Sequence, residues 1–308
     1  MQCILLLLTN LDLKMELPSQ VKPNIGFKIK RFGANVLKAN FFALGIARAI
    51  LSPRPPIRIL FSANQYSEKN IRRGFRFLRH EINFNAFTPE NIRKSDLVVP
   101  LNVDDVRILQ KSRHLVENNP IPIPSLSAVN ICDDKHLFSK TLTEKGFKDM
   151  IPKTGDDLPL PFMLKKRVTW GGISCHLISS TDQKNEFMEL ISSPDYFCQE
   201  IIEGTNEYAT HILFKDQKIA ASLTIRYEFY DETSINGKSG FVCTKIRKCA
   251  HLDKFAAILE AIGYEGLCCF DYKIVDGKPK IFEINPRFGG SLSSYFFTFL
   301  QQLNLKAA

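Results

Sequence analysis

The segment 271–287 concentrates residues with chemistry to offer: Asp271, Glu283, Asn285 and Arg287, on two apolar runs that flank Asp276-Gly277. That dipeptide between apolar runs is a strong hairpin signal. Register decides what the acids can do together. A two-residue turn opposes 271 to 282 and sends Glu283 to the other face. A three-residue turn over 276–278 opposes 271 to 283 and puts both carboxylates on one face. The sequence leaves the turn open. Glu283 and Asn285 share a face under either turn, because strand side chains alternate. Two carboxylates and an amide oxygen form a hard, all-oxygen donor set suited to Mg²⁺. The competing reading is a solvated hairpin edge that holds nothing.

Three other segments carry groups that could serve the same site. The apolar run 161–164 delivers Lys165 ahead of Trp170-Gly171-Gly172-Ile173-Ser174. A lysine before a glycine turn can hold phosphate oxygens by charge and by backbone N–H groups. The run 197–208 carries Gln199-Glu200-Ile201-Ile202-Glu203-Gly204 and then Glu207. Such a strand end can meet an adenine edge with backbone groups and a ribose with a carboxylate. Asp134-Lys135 opens a helix after a proline-rich stretch, with the aspartate able to cap it. Each segment alone also fits a surface strand, a turn or a capped helix.

Taken in order, these segments resemble the ATP-grasp superfamily over roughly 96–290, most of all its carbamoyl-phosphate-synthase and biotin-carboxylase-like branch, which includes many carboxylate–amine ligases. The resemblance implies an ATP- and Mg²⁺-dependent (or Mn²⁺-dependent) ligase that activates a carboxylate as an acyl phosphate for attack by an amine. It implies that Lys135 and Lys165 contact ATP phosphates or adenine and that Gly171 and Gly172 cover the phosphates. Glu200 and the backbone near Ile202 would read adenine, and Glu207 would bind ribose. Asp271, Glu283 and Asn285 would hold the metal, and Arg287 would stabilise the transferring phosphoryl group. Arg226 falls where the family often has a basic substrate-side residue. The implied partners are small-molecule carboxylate and amine substrates. One alternative is an enzyme that activates bicarbonate or another small acid. Another is a weakened copy that binds nucleotide without turnover. The features behind it are Ser174 where a further glycine is common, the bulky Lys166, Arg167 and Trp170, and Asp271 in place of the more frequent glutamate.

Elements must position these residues. A strand is expected over 57–61, a buried strand over 96–100 and a polar helix over about 104–117. Between the strands, Ile71, Phe75, Leu78 and Ile82 form an apolar stripe, and Lys69, Arg72, Arg73, Arg76 and Arg79 form a cationic face. This predicts one amphipathic helix. Alternating strands and helices suggest an α/β unit. Asn119-Pro120-Ile121-Pro122-Ile123-Pro124 marks a boundary. Beyond it a helix is expected from Asp133 or Asp134 to about Lys145, closed by Gly146. Strands follow at 161–168, 175–179, 196–202, 207–214, 218–226, 267–275 and 280–285, with helices at 182–191 and 252–262. The expected fold is an α/β N-terminal domain over 1–120 followed by an α+β domain over 121–308. The resemblance makes the latter an ATP-grasp domain of two α+β subdomains gripping ATP. Residues 1–55 are the least readable part.

Composition narrows the classes. The chain has 308 residues, 44% hydrophobic and 24% charged, proportions that exclude disorder, collagen and a disulfide scaffold. No uncharged apolar run reaches the ~20 residues of a membrane span; the most apolar stretch, 34–51, is broken by Lys38 and Arg48. The start lacks the basic region of a signal peptide, so a cytoplasmic protein is expected. The 8 cysteines and 6 histidines show no zinc-like spacing, and no zinc is expected. The net charge of +9 resides in residues 1–110, with 17 Lys and Arg against 8 Asp and Glu; the remainder holds 24 of each. A solvated basic face is the expectation there, ahead of contact with nucleic acid or a membrane.

Overall fold

The computed structural model describes residues 25–51, 55–63, 65–169, 172 and 174–303. The first element is one the sequence reading did not anticipate: α1, Ile25–Leu51, a helix of 27 residues. Its inner face packs Ala34 against Val242 and Cys243 and contributes Ile46 to the main core. There follow β1 (Arg58–Phe61), α2 (Gln65–Phe75), β2 (Glu81–Phe84), α3 (Pro89–Arg93) and β3 (Leu97–Val99). The three strands form a parallel sheet in the order β2-β1-β3. After it comes α4 (Val103–Lys111), started by a capping box between Asn102 and Asp105.

The basic helix is shorter than predicted. It stops at Phe75, and Ile82 belongs to β2. The four apolar residues of the stripe do reach one core: Ile71 and Phe75 are buried, with Leu78 and Ile82 packed beside them. A turn and a strand can supply apolar side chains at helical spacing by coincidence, which is how the stripe misled.

Residues 126–142 form two helices where one was expected. α5 (Leu126–Asp133) is capped by Ser125, and α6 (Lys135–Leu142) is capped by Asp134. Gly146, at φ +88°, ends the turn that follows. A small antiparallel sheet then forms from β4 (Phe162–Lys166), β5 (Cys175–Ile178) and, after α7 (Thr181–Glu186) and α8 (Met188–Ile191), β6 (Tyr196–Glu200), in the order β5-β4-β6. The larger sheet comes next: β7 (Asn206–Lys215), β8 (Lys218–Phe229), β9 (Phe241–Arg247), then α9 (Leu252–Ala261), β10 (Gly266–Val275) and β11 (Lys278–Asn285). It is antiparallel throughout, in the order β11-β10-β7-β8-β9. The last helix is α10 (Phe297–Leu300). β9 was absent from the sequence reading.

Strand alternation in β7 and β10 feeds two apolar layers. Ile212, Phe214, Phe270 and Tyr272 pack under α5, α6 and α9. Leu213, Leu223 and Leu267 pack with the parallel sheet and the segment 288–303. The small sheet has a core of its own around Phe162, Leu164, Ile178 and Cys198. The architecture is thus an α/β region followed by an α+β region of two antiparallel sheets, as expected. The 7 described cysteines are free thiols.

Candidate functional site

A cavity of about 410 Å³ opens between the two antiparallel sheets, lined by residues from β4, β6, β7, β8, β10 and β11. Its floor follows period-two geometry: Glu207, Ala209 and His211 from β7, and Cys269, Asp271 and Lys273 from β10.

The hairpin register is neither of the two simple cases. Val275 opposes Lys278, so the turn has two residues, and Asp276 (φ +49°) and Gly277 (φ +73°) are both left-handed, as a type I′ turn requires. That turn alone would oppose 271 to 282. A bulge after Asp271 takes up one extra residue, Phe282, so that Tyr272 opposes Ile281 while Asp271 opposes Glu283. Both acids therefore reach one face by a short turn plus a bulge. Asn285 joins them, its Nδ2 donating to Asp271 Oδ2 at 2.9 Å and Glu283 Oε1 at 3.2 Å.

Cations surround the acids. Asp134 caps α6 by accepting from the His136 and Leu137 N–H groups at 3.0 Å, and it pairs with Arg167. The cap fixes Lys135 at the helix start, from which its Nζ reaches Glu283 Oε2 at 2.9 Å and donates to the Thr169 carbonyl at 2.6 Å. Lys165 Nζ donates to Gln199 Oε1 at 2.6 Å and sits 5.1 Å from the Phe282 ring centroid. Arg287 donates to Asn285 Oδ1 and to the Phe288 carbonyl, both at 3.0 Å.

The electrostatics follow from crowding. Burial pushes the Asp271 carboxyl well up, and the charges of Glu283 and Glu207 push it further. Burial also opposes ionisation of Glu283, but Lys135 and Lys165 outweigh it and hold that carboxyl below its ordinary range. Glu207 is only 6% exposed, and burial lifts it to about 7 against the pull of Asn236, Lys273 and Lys165. Burial likewise pushes His211 down to about 3, so its ring is neutral. Its Nε2 lies 2.7 Å from Ser291 Oγ.

The sequence-predicted residues fall into three groups. Lys135, Lys165, Glu207, Asp271, Glu283, Asn285 and Arg287 converge on the cavity, and Gly172, Glu200 and Ile202 line it with them. Gly172, at φ +66°, lies so close to the loop 233–237 that a Cβ would come within 2.8 Å of the Asn236 carbonyl oxygen. Gly171 lies outside the described residues. Arg226 is a correction. It pairs with Tyr208 across β7 and β8, whereas its neighbour Tyr227 lines the cavity, so alternation turns Arg226 to the opposite face. There it donates to Glu228 Oε2 at 3.3 Å and borders a separate pocket with Tyr208, Arg247 and His251.

The reading missed two residues that the same alternation could have found. Gln199 precedes Glu200, and its side chain is the inward one, 1% exposed, with Nε2 buried and without a hydrogen-bond partner. The Glu200 carboxylate instead accepts the Lys153 N–H at 2.9 Å. Lys273 lies two residues beyond Asp271 on the same face and is 3% exposed. Its Nζ donates to the carbonyls of Ile202 at 2.9 Å and Glu232 at 2.7 Å, and burial pulls its pKa down. A lysine in phase with an acid on an otherwise apolar strand was the available signal.

A family model for the ATP-grasp domain matches residues 132–291, which span every converging residue named above. No curated protein sequence matches the chain. Among solved structures, D-alanine–D-alanine ligase from Bacillus anthracis superposes with a TM-score of 0.56 at 14% identity, covering 81% of this chain and 96% of that one. L-amino acid ligase from Bacillus licheniformis gives 0.57 at 14% identity, covering 83% and 75%. The ADP complex of N5-carboxyaminoimidazole synthetase from Staphylococcus aureus gives 0.54 at 14% identity, covering 82% and 78%. At these identities the likeness is one of fold.

Proposed function

Starting from the chain's membership of the ATP-grasp family, we propose that it is an ATP- and Mg²⁺-dependent ligase that joins a small-molecule carboxylate to an amine. The observation that carries this reading is the meeting of Asp271, Glu283 and Asn285 with Lys135, Lys165 and Arg287 in one cavity between two sheets. Residues 1–120 and 121–308 are its two domains, and the cytoplasm, where ATP is plentiful, is its compartment.

The donor set fits a divalent cation. Asp271 and Glu283 face each other at the bulge, and the strain of two neighbouring carboxylates is relieved here by Lys135 and by the Asn285 amide group. A cation between them would do the same directly, with the Asn285 amide turned to present its oxygen. Asp271, Glu283 and Asn285 would hold Mg²⁺ or Mn²⁺, which supplies charge neutralisation for phosphate oxygens.

The remaining groups divide the work by position. Lys165 and Lys135 hold phosphate oxygens, and for this Lys135 exchanges its Glu283 partner for the nucleotide. Gly172 and the loop against it cover the phosphates and exclude water. Gln199, with its unpartnered Nε2, and the backbone at 200–202 meet the adenine edge, while Glu207 accepts from ribose hydroxyls. The substrate carboxylate oxygen attacks the γ-phosphorus, the bond to ADP breaks, and an acyl phosphate results. The amine then attacks the carbonyl carbon, inorganic phosphate leaves and the amine loses a proton. Arg287 faces the charge that develops in the first step. No nucleophilic side chain is needed.

Glu283→Gln tests the reading. Thermal unfolding with ATP, ADP or no nucleotide, with and without Mg²⁺, should show a Mg²⁺-dependent stabilisation of the wild type, about 2.7 kcal/mol at 100 times Kd. The variant should lose that Mg²⁺ dependence while remaining folded. A folded variant with the full Mg²⁺-dependent shift would remove Glu283 from the metal site and the reading with it.

A further inference from the structure

α1 has two apolar faces, and among the described residues only one is covered. At 3.6 residues per turn, Ala34, Lys38, Phe41, Phe42 and Ile46 share the inward side. Lys38 donates to Thr244 Oγ1 at 2.8 Å, and Phe41 and Phe42 pack edge-on against Tyr295. The opposite arc presents Ile29, Phe32, Val36, Leu44, Ile50 and Leu51; Phe32 is 73% exposed and Leu51 81%. Asn40 is the one polar residue on this arc; an apolar stripe of this length on a protein surface marks an interaction site.

We propose that this face docks on an anionic lipid surface, with α1 lying in the plane of the headgroups. Charge selects the occupant. Between residues 25 and 51 there are five basic side chains and no acidic one; Lys30 pairs with Glu228 and Lys38 turns inward to Thr244, which leaves Lys28, Arg31 and Arg48 for a partner. A second copy laid against this helix would set cations against cations, whereas an anionic bilayer offers both the apolar interior and the opposite charge. Lys28 and Arg48 are exposed, one near each end of the stripe. By length and composition α1 could cross a bilayer. Its inner face holds Ala34 against Val242 and Cys243 and Lys38 against Thr244, so it meets lipid from one side only.

Co-sedimentation of the full chain with vesicles tests the docking, using phosphatidylcholine alone or mixed with phosphatidylglycerol, at low and high salt. Binding is expected only to the anionic vesicles and should fall as salt rises. Lys28→Ala with Arg48→Ala should weaken it about 25-fold, at about fivefold per basic residue. Phe32→Ser with Leu44→Ser should abolish it. These four side chains point outward, so an unchanged unfolding temperature verifies that each variant is folded. No binding, equal binding to neutral vesicles, or release by detergent alone would overturn the proposal. So would a self-associated wild type that the Phe32→Ser, Leu44→Ser variant dissociates without any vesicle binding.

Discussion

Replacing Glu207 by glutamine should reshape the pH dependence of stability in a direction set by the geometry around that side chain. Glu207 lies on the cavity face of β7, 6% exposed, and its carboxyl is raised from 4.5 to about 7 by burial. The folded state therefore holds the proton more tightly than the unfolded chain. The resulting stabilisation is fully present below the unfolded pKa and is lost as pH rises through the folded one. A difference of about 2.5 units, at about 1.4 kcal/mol per unit, comes to about 3 kcal/mol between pH 4.5 and 7. Glutamine imitates the protonated acid in shape and charge but does not titrate. Urea unfolding of wild type and Glu207→Gln, without nucleotide or Mg²⁺, should show the variant gaining on the wild type by about 3 kcal/mol across that window. His211, lowered to about 3, works with the opposite sign as pH falls below 6.5, but it is common to both proteins and cancels in the difference. A difference that stays flat from pH 4.5 to 8 would refute the reasoning, because Glu207 would then be as well solvated folded as unfolded.

Two further substitutions test the packing that holds the cavity. Gly289→Ala should cost about 1–3 kcal/mol in thermal unfolding, as overpacking does, because the new Cβ would lie 2.3 Å from His211 Cε1. A loss confined to a few tenths would mean that the His211 ring moves freely. Lys273→Met should cost about 2–4 kcal/mol by leaving the Ile202 and Glu232 carbonyls without their buried donor, and it should weaken nucleotide affinity in calorimetric titration because Ile202 borders the cavity.

What the sequence disclosed and what it hid divide along physical lines. Short-range periodicity placed most strands of the two antiparallel sheets and brought Asp271, Glu283 and Asn285 to one hairpin, because alternation and turn chemistry are local. The bulge at Phe282 was hidden: turn chemistry fixes the register next to the turn, and an extra residue taken up further along β11 leaves no mark in the residue pattern. Arg226 was misplaced for a related reason. Being at the end of an expected strand says nothing about the face it takes, and parity against Tyr227 decides it. Gln199 was passed over because a carboxylate beside it drew the chemical reading, though Gln199 is the buried one of the pair and the Glu200 carboxylate is taken up by the Lys153 N–H. α1 escaped for the opposite reason. With apolar residues on both faces it lacks the one-sided pattern by which a surface helix is recognised.

The bulge at Phe282 also bears on how this site can change over generations. Its effect rests on a count: whether the number of residues between the turn and the acids is odd or even. Point substitutions at Phe282 leave that count alone, so the metal-side residues stay in phase even where the contact of its ring with Lys165 is lost. Loss or gain of one residue would rotate Glu283 and Asn285 out together, however well every remaining side chain were preserved. The phase of the hairpin thus tolerates spelling errors and rejects frameshifts in structure, and its lineage should record one length between the turn and Glu283.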